Sequence, residues 1–255
     1  MTRDEALMRI IWSADVPDWQ AMLYYLDAMP DLRWIKVDRA GIYRFDMGLK
    51  PFDILADRGL KTFGDGKFIE VPRKGDDMAG SWSEHPVHMM NCMGGMLSTG
   101  LLPEETDKPD KVDGLYRFAD LCNKKGILSC GVTVLTSKSP EMVAAEYNGR
   151  NPTEQVLFYV EWMAKFGFTD IVCSPKEIKA ILCNPEFADL SLNTPGVRSP
   201  GAETQDQSRV DTPANAIANG ARRIVVGSEI TGKPDPAAAL EAIVEQLMVA
   251  ELPAA

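Results

Sequence analysis

The chain has 255 residues, 45% of them hydrophobic, which is enough for one large core and close to the usual length of a single α/β barrel. Lys and Arg total 27 against 37 Asp and Glu, a net charge of −10 that disfavours nucleic acid as a partner while leaving room for one phosphate held by local N–H groups and a cation. No run approaches the roughly 18–20 apolar residues of a membrane span, and the first residues, MTRDEALMRIIW, carry acids where a signal peptide is basic, so a cytoplasmic protein without a membrane partner is expected.

In chain order, short apolar runs alternate with longer amphipathic ones, the pattern of parallel strands flanked by helices. The candidate strands are Met8–Ser13, Arg33–Val37, Lys61–Asp65, Val87–Asn91, Leu128–Leu135, Asp170–Cys173, Asp189–Leu192 and Arg223–Val226. Helical stretches fall at Trp19–Met29, Pro51–Arg58, Leu115–Lys125, Glu154–Lys165, Lys176–Cys183, Pro213–Asn219 and Pro236–Ala250. Several open on Pro or Asp and have Gly shortly after their ends, as helix boundaries should. Eight such repeats predict one domain folded as a (β/α)8 barrel. Arg73–His85 and Met96–Asp113 read as loops after the third and fourth strands, on the face where barrels carry their active sites. The five cysteines lack CxxC spacing and read as reduced, buried thiols.

The segment richest in chemistry is Gly64-Asp-Gly-Lys-Phe-Ile-Glu-Val-Pro72, at the end of the third strand. Asp65 and Lys67 are two apart, so in an extended chain they point to the same side. If that side is the barrel mouth, the carboxylate and the ammonium keep each other charged and in place; the alternative from these residues alone is a solvated turn. His85 and His88 are the only histidines, which disfavours histidine catalysis and leaves no three-histidine metal site.

This segment resembles the Asp-x-Lys-x-x-Asp-Ile-Pro signature of the orotidine 5′-phosphate decarboxylase family. Other pieces follow in the family's order: Trp12–Pro17, Trp34–Val37, Gly131–Ser137, Thr194–Arg198, Asp206–Pro213, Val226–Gly227 and Ile230–Thr231. The similarity spans about Ile10 to Leu247. The resemblance implies a carboxy-lyase that turns orotidine 5′-phosphate into UMP with no cofactor and no metal. In it, Lys67 is the proton donor, Asp65 crowds the departing carboxylate, and Lys36 holds Asp65 and the ribose. Asp15 binds ribose, Thr136 lies at the substrate, and Arg198, Gln207 and the N–H groups near Gly227 hold the phosphate. Glu70, matching the last acid of the signature, reaches into a partner's site and so implies a homodimer.

The chain departs from that pattern at identifiable places. Glu70 stands for aspartate, Gly66 for leucine and Lys74 for threonine. The segment Asn91-Cys-Met-Gly-Gly95 replaces a histidine-containing fourth-strand end, keeping its glycines but not the imidazole, and Ser228 takes the place of the arginine that grips the phosphate, for which Arg198, Arg209, Lys74 or Lys233 could substitute. Two other readings therefore stand beside the decarboxylase: a related barrel lyase acting on another nucleotide or a sugar phosphate, and a nucleotide-binding relative without catalysis.

Overall fold

A computed structural model describes residues 1–199 and 211–250. The strands are β1 (Ile10–Ser13), β2 (Trp34–Asp38), β3 (Lys61–Phe68), β4 (Met89–Met93), β5 (Leu128–Val132), β6 (Asp170–Val172), β7 (Ser191–Thr194) and β8 (Arg223–Val226). Each pairs in parallel with the next, and β8 pairs with β1, so the sheet closes into the expected eight-stranded barrel. The helices are α1 (Arg3–Leu7), α2 (Trp19–Ala28), α3 (Arg39–Phe45), α4 (Lys50–Asp57), α5 (Pro72–Ser83), α6 (Gly114–Lys124), α7 (Pro140–Glu146), α8 (Pro152–Lys165), α9 (Ile178–Leu182), α10 (Pro213–Ala218), α11 (Ser228–Thr231) and α12 (Pro236–Met248). Among the described residues, no helix is long and apolar enough to cross a membrane.

The period-two alternation of each strand divides the apolar residues between two cores. Ile11, Trp34, Phe63, Met89, Cys130 and Val225 pack together inside the barrel. Their neighbours Ile10, Trp12, Ile35, Met90, Ile171, Ile224 and Val226 face outward and pack with the helices in the main core. The next inward position towards the C-terminal end is where side chains reach the mouth, and in β1 to β4 the sequence turns polar there: Ser13, Lys36, Asp65 and Asn91. Cys92, Cys122, Cys130 and Cys173 are buried thiols outside any disulfide, as expected, whereas Cys183 is exposed. Burial pushes the Cys122 thiol up to about 12, so it stays protonated and unreactive.

The stretch Arg73–His85, expected as a loop, is mostly helix α5. Pro72 occupies the first turn, where a missing N–H is no loss, and the buried face runs through Gly75, Ala79 and Trp82. Two of those three are small, so the helical period carried little apolar signal. The helix is held by tertiary packing, with Trp82 against Phe52 at 5.2 Å and Phe68 at 5.3 Å between ring centroids. Helices α1, α3, α7 and α11 were not anticipated either; all have seven residues or fewer. Strand β3 runs on to Phe68, and β5 stops at Val132 rather than Leu135.

The loop after β4 behaves as expected and is organised by one carboxylate. Asp113 is fully buried; its Oδ2 accepts the N–H groups of Ser98, Thr99 and Gly100, each at 2.8 Å, while Oδ1 caps α6 by accepting from Leu115. Asp113→Ala leaves the buried Leu115 N–H and the part-buried N–H groups of Ser98, Thr99 and Gly100 without this partner, a fully buried one costing about 1–3 kcal/mol and the others less. A loss of at least about 3 kcal/mol in urea unfolding is the expected result.

Candidate active site

The strand C-termini enclose a cavity of about 560 Å³. Phe63, Val132, Val172 and Val225 give it an apolar floor, and Ser13, Lys36, Asp65, Lys67 and Asn91 supply polar walls from β1 to β4. The segments after β5, β7 and β8 complete it with Thr136, Ser137, Pro195, Gly196, Arg198, Gly227 and Ser228.

Asp65 is the centre of this wall. Its side chain is 4% exposed, and its oxygens receive Lys36 Nζ at 2.6 Å, Lys67 Nζ at 2.6 and 2.7 Å, and Asn91 Nδ2 at 2.7 Å. Burial alone would raise the Asp65 carboxyl, but the charges of Lys36 and Lys67 reverse this and hold it well below the usual carboxylate range. Burial would likewise lower the Lys36 ammonium, and Asp65, with Asp15 behind it, holds it above its ordinary value instead. Lys36 and Asp65 are thus both charged at neutral pH in a buried wall. Lys67 differs in being 43% exposed, which leaves its ammonium open to the cavity.

Asp65 and Lys67 share the mouth, as their spacing suggested, but a bulge rather than a straight strand brings them there. The β3–β4 register passes from Gly64 opposite Met90 to Phe68 opposite Cys92, and Lys67 takes a positive φ of 41°. Gly66 lets the Phe68 ring pack against this bulge, because a Cβ there would lie 2.7 Å from the ring and force it to shift. Asn91, noted in the sequence only for the imidazole it lacks, proves to be a member of the network. Its inward parity on β4, two residues after Met89, was the signal available for finding it.

Around the rim, Asp15 accepts from Ser13 Oγ at 2.8 Å, and its Oδ2 would lie 3.5 Å from a Cβ added at Gly227. Thr136 is buried in the lining and Ser228 opens α11 there. Arg198 lines the cavity with Nη1 on the Val197 carbonyl at 2.8 Å, while its buried Nε has no partner among the described residues. Gln207, Asp206 and Arg209 lie outside the described residues. Lys74 and Lys233 are exposed and away from the cavity lining. Glu70 is also exposed and does not line the cavity of its own chain; Ile69 and Val71 beside it are 55% and 66% exposed. Among the described residues, no group of three or more His, Cys, Asp and Glu side chains is placed to hold a metal ion.

The closed barrel with an ionised Lys/Asp wall at its C-terminal mouth defines an α/β-barrel enzyme. A family model described as orotidine 5′-phosphate decarboxylase / HUMPS family matches residues 8–243. A protein from Moorella thermoacetica named orotidine 5′-phosphate decarboxylase is 32% identical over 97% of this chain and 95% of its own length. One of the same name from Pseudomonas paraeruginosa is 33% identical over 93% of this chain and 97% of its own. The crystal structure of orotidine 5′-phosphate decarboxylase from Lactobacillus acidophilus superposes with a TM-score of 0.74 at 25% identity, covering 94% of this chain and 99% of that one. The chain belongs to the orotidine 5′-phosphate decarboxylase / HUMPS family, and its named relatives are carboxy-lyases.

Proposed function

We propose that this protein decarboxylates orotidine 5′-phosphate to UMP without metal or cofactor, as a cytoplasmic enzyme of pyrimidine nucleotide synthesis. The observation that carries the reading is the Lys36–Asp65–Lys67 array at the cavity wall, with Lys67 Nζ within 2.7 Å of both Asp65 oxygens. Breaking the bond between C6 and the carboxylate leaves an electron pair in the ring plane, where the π system cannot spread it. Fixed charges must stabilise it instead. Asp65 stands against the substrate carboxylate and favours its departure as CO2. The Lys67 ammonium sits where negative charge develops, transfers its proton to C6 and regains one from solvent.

The rim supports the rest of the ligand. In this reading Asp15 and Lys36 bind the ribose hydroxyls, and Thr136, which lines the cavity, lies at the substrate. Arg198, whose Nε has no partner among the described residues, Gly227 and Ser228 stand for the phosphate; the family resemblance adds Gln207. The binding energy of that remote phosphate positions the ring. Serine at 228 supplies no charge there, and a charge-assisted hydrogen bond contributes about 1.5–3 kcal/mol. Ser228→Arg is therefore expected to tighten UMP binding by about ten- to a hundredfold, as read by calorimetry.

Glu70 completes the array only from a second copy of the chain, so the active form is a homodimer. The exposed Ile69 and Val71 on either side of Glu70 support an interface at this segment, since an apolar pair in water gains by being covered.

The deciding experiment follows the ultraviolet absorbance of orotidine 5′-phosphate with purified enzyme and EDTA, alongside Lys67→Ala. Loss of the substrate band with wild type alone supports the proposal. Dependence on a divalent cation would favour a sugar-phosphate relative, and UMP binding without turnover would favour a non-catalytic one.

A further inference from the structure

We infer that Asn91 and Arg39 are positioning residues that grip one peptide group, Gly66–Lys67, from its two ends and so aim the Lys67 ammonium. The inference rests on the proposed role of Lys67. The bulge takes four steps of β3 against two of β4, so the chain between Gly64 and Phe68 has left the ladder with β4, while Asp65 keeps its register with Asp38 of β2. A backbone N–H and C=O released from a ladder in a buried wall need other partners. Here they find side chains: Arg39 Nη2 donates to the Gly66 carbonyl at 2.7 Å, and Asn91 Oδ1 accepts the Lys67 N–H at 2.7 Å. The carbonyl and the N–H belong to the same planar unit, so its orientation is fixed from both sides.

That orientation matters because Lys67 lies at φ 41°, where residues other than glycine are disfavoured. Gly66 before it, free of a side chain, would offer the backbone easy routes of relaxation. Fixing the peptide plane closes them. The lysine side chain is a long lever, so a modest change of φ carries its ammonium a long way from the reacting carbon, and a misplacement of about 1 Å can cost on the order of a hundredfold.

Asn91 suits the task in a way its isosteres do not. Its oxygen end takes the Lys67 N–H while its nitrogen end donates to Asp65 Oδ1 at 2.7 Å, so the amide has a single allowed orientation. An aspartate there would set a second anion against Asp65. Arg39, the first residue of α3, comes from the other side with its Cζ 5.8 Å from the centroid of the Phe68 ring, which a Cβ at Gly66 would approach to 2.7 Å.

The test compares wild type with Asn91→Ala, Arg39→Met and the double variant as full-length enzyme. Three quantities are read: kcat and KM on orotidine 5′-phosphate, UMP affinity, and hydrogen exchange of individual amides. Each single variant is expected to lose about ten- to a hundredfold in kcat, with KM and UMP affinity within about threefold. Because both residues act through one peptide, the double variant should fall no more than a few-fold below the weaker single variant. In Asn91→Ala the Lys67 amide should exchange at least about tenfold faster, while those of Ile35 and Ile171 keep their protection. An unchanged Lys67 exchange rate, or multiplicative losses in the double variant, overturns the inference. If Asn91→Ala does not fold, Arg39→Met alone decides: a kcat loss with unchanged UMP affinity supports the grip, and wild-type kcat ends it. If wild-type enzyme leaves orotidine 5′-phosphate untouched, the proposed function falls, and the Lys67 exchange rate still decides whether the grip exists.

Discussion

Lys67→Ala is expected to lower turnover of orotidine 5′-phosphate by at least about 10⁴-fold, because it removes both the proton donor, worth about 10²–10⁴, and the charge that meets the developing carbanion, worth about 10²–10³. Binding should suffer far less. Asp65 keeps Lys36 at 2.6 Å and Asn91 at 2.7 Å, so the wall is still paired when Lys67 is gone. With 43% of its side chain exposed, Lys67 adds little to the folded state, and the thermal midpoint should move by only a few degrees. Stopped assays with UMP binding measured in parallel separate the two effects. Turnover within about tenfold of wild type would assign proton delivery to another group.

Asp65→Asn combines an activity loss with a stability loss of defined pH dependence. The amide keeps the size of the side chain but removes the anion that lets Lys36, only 12% exposed, remain charged in the wall. Removing one partner of a buried ion pair costs about 3–5 kcal/mol, and turnover should fall by at least about a hundredfold as Lys67 loses its anchor. The sign of the pH dependence follows from the two shifts. Asp65 is held below the usual carboxylate range, so its contribution is complete above the unfolded value of about 3.9 and is lost as pH falls through the lower folded value. Lys36 is held above its ordinary value, so its contribution is complete below about 10.4 and is lost as pH rises through the higher folded value. The stability gap between wild type and variant should therefore be widest between about pH 4 and pH 10 and narrow outside that window, as read by urea unfolding across pH. A gap that does not depend on pH would mean that Asp65 contributes by shape and not by charge.

The barrel was legible from the strand runs because parallel strands buried on both faces are written as apolar runs, and because helices between them open on Asp or Pro. Six of the strand segments match to within two residues at each end, the two clear differences being the extension of β3 and the early end of β5. Helix α5 was not legible because its inner face is made of Gly75, Ala79 and Trp82, a face defined by how closely it approaches α6 and β3 and not by apolar bulk. The place of Asp65, Lys67, Lys36 and Asp15 at one mouth was readable from spacing and from resemblance.

What the sequence by itself determined was the order of strands and helices, the two-residue parity that sends polar side chains to the strand C-termini, and the family's charged motif. Composition and period suffice for these because they are local properties of the chain. Only the tertiary structure decided that β3 breaks into a bulge opposite β4, that Arg39 and Asn91 hold the freed peptide, and that Asn91 also donates to Asp65. Those are facts of register and distance between segments 24 to 27 residues apart, and no local pattern specifies them.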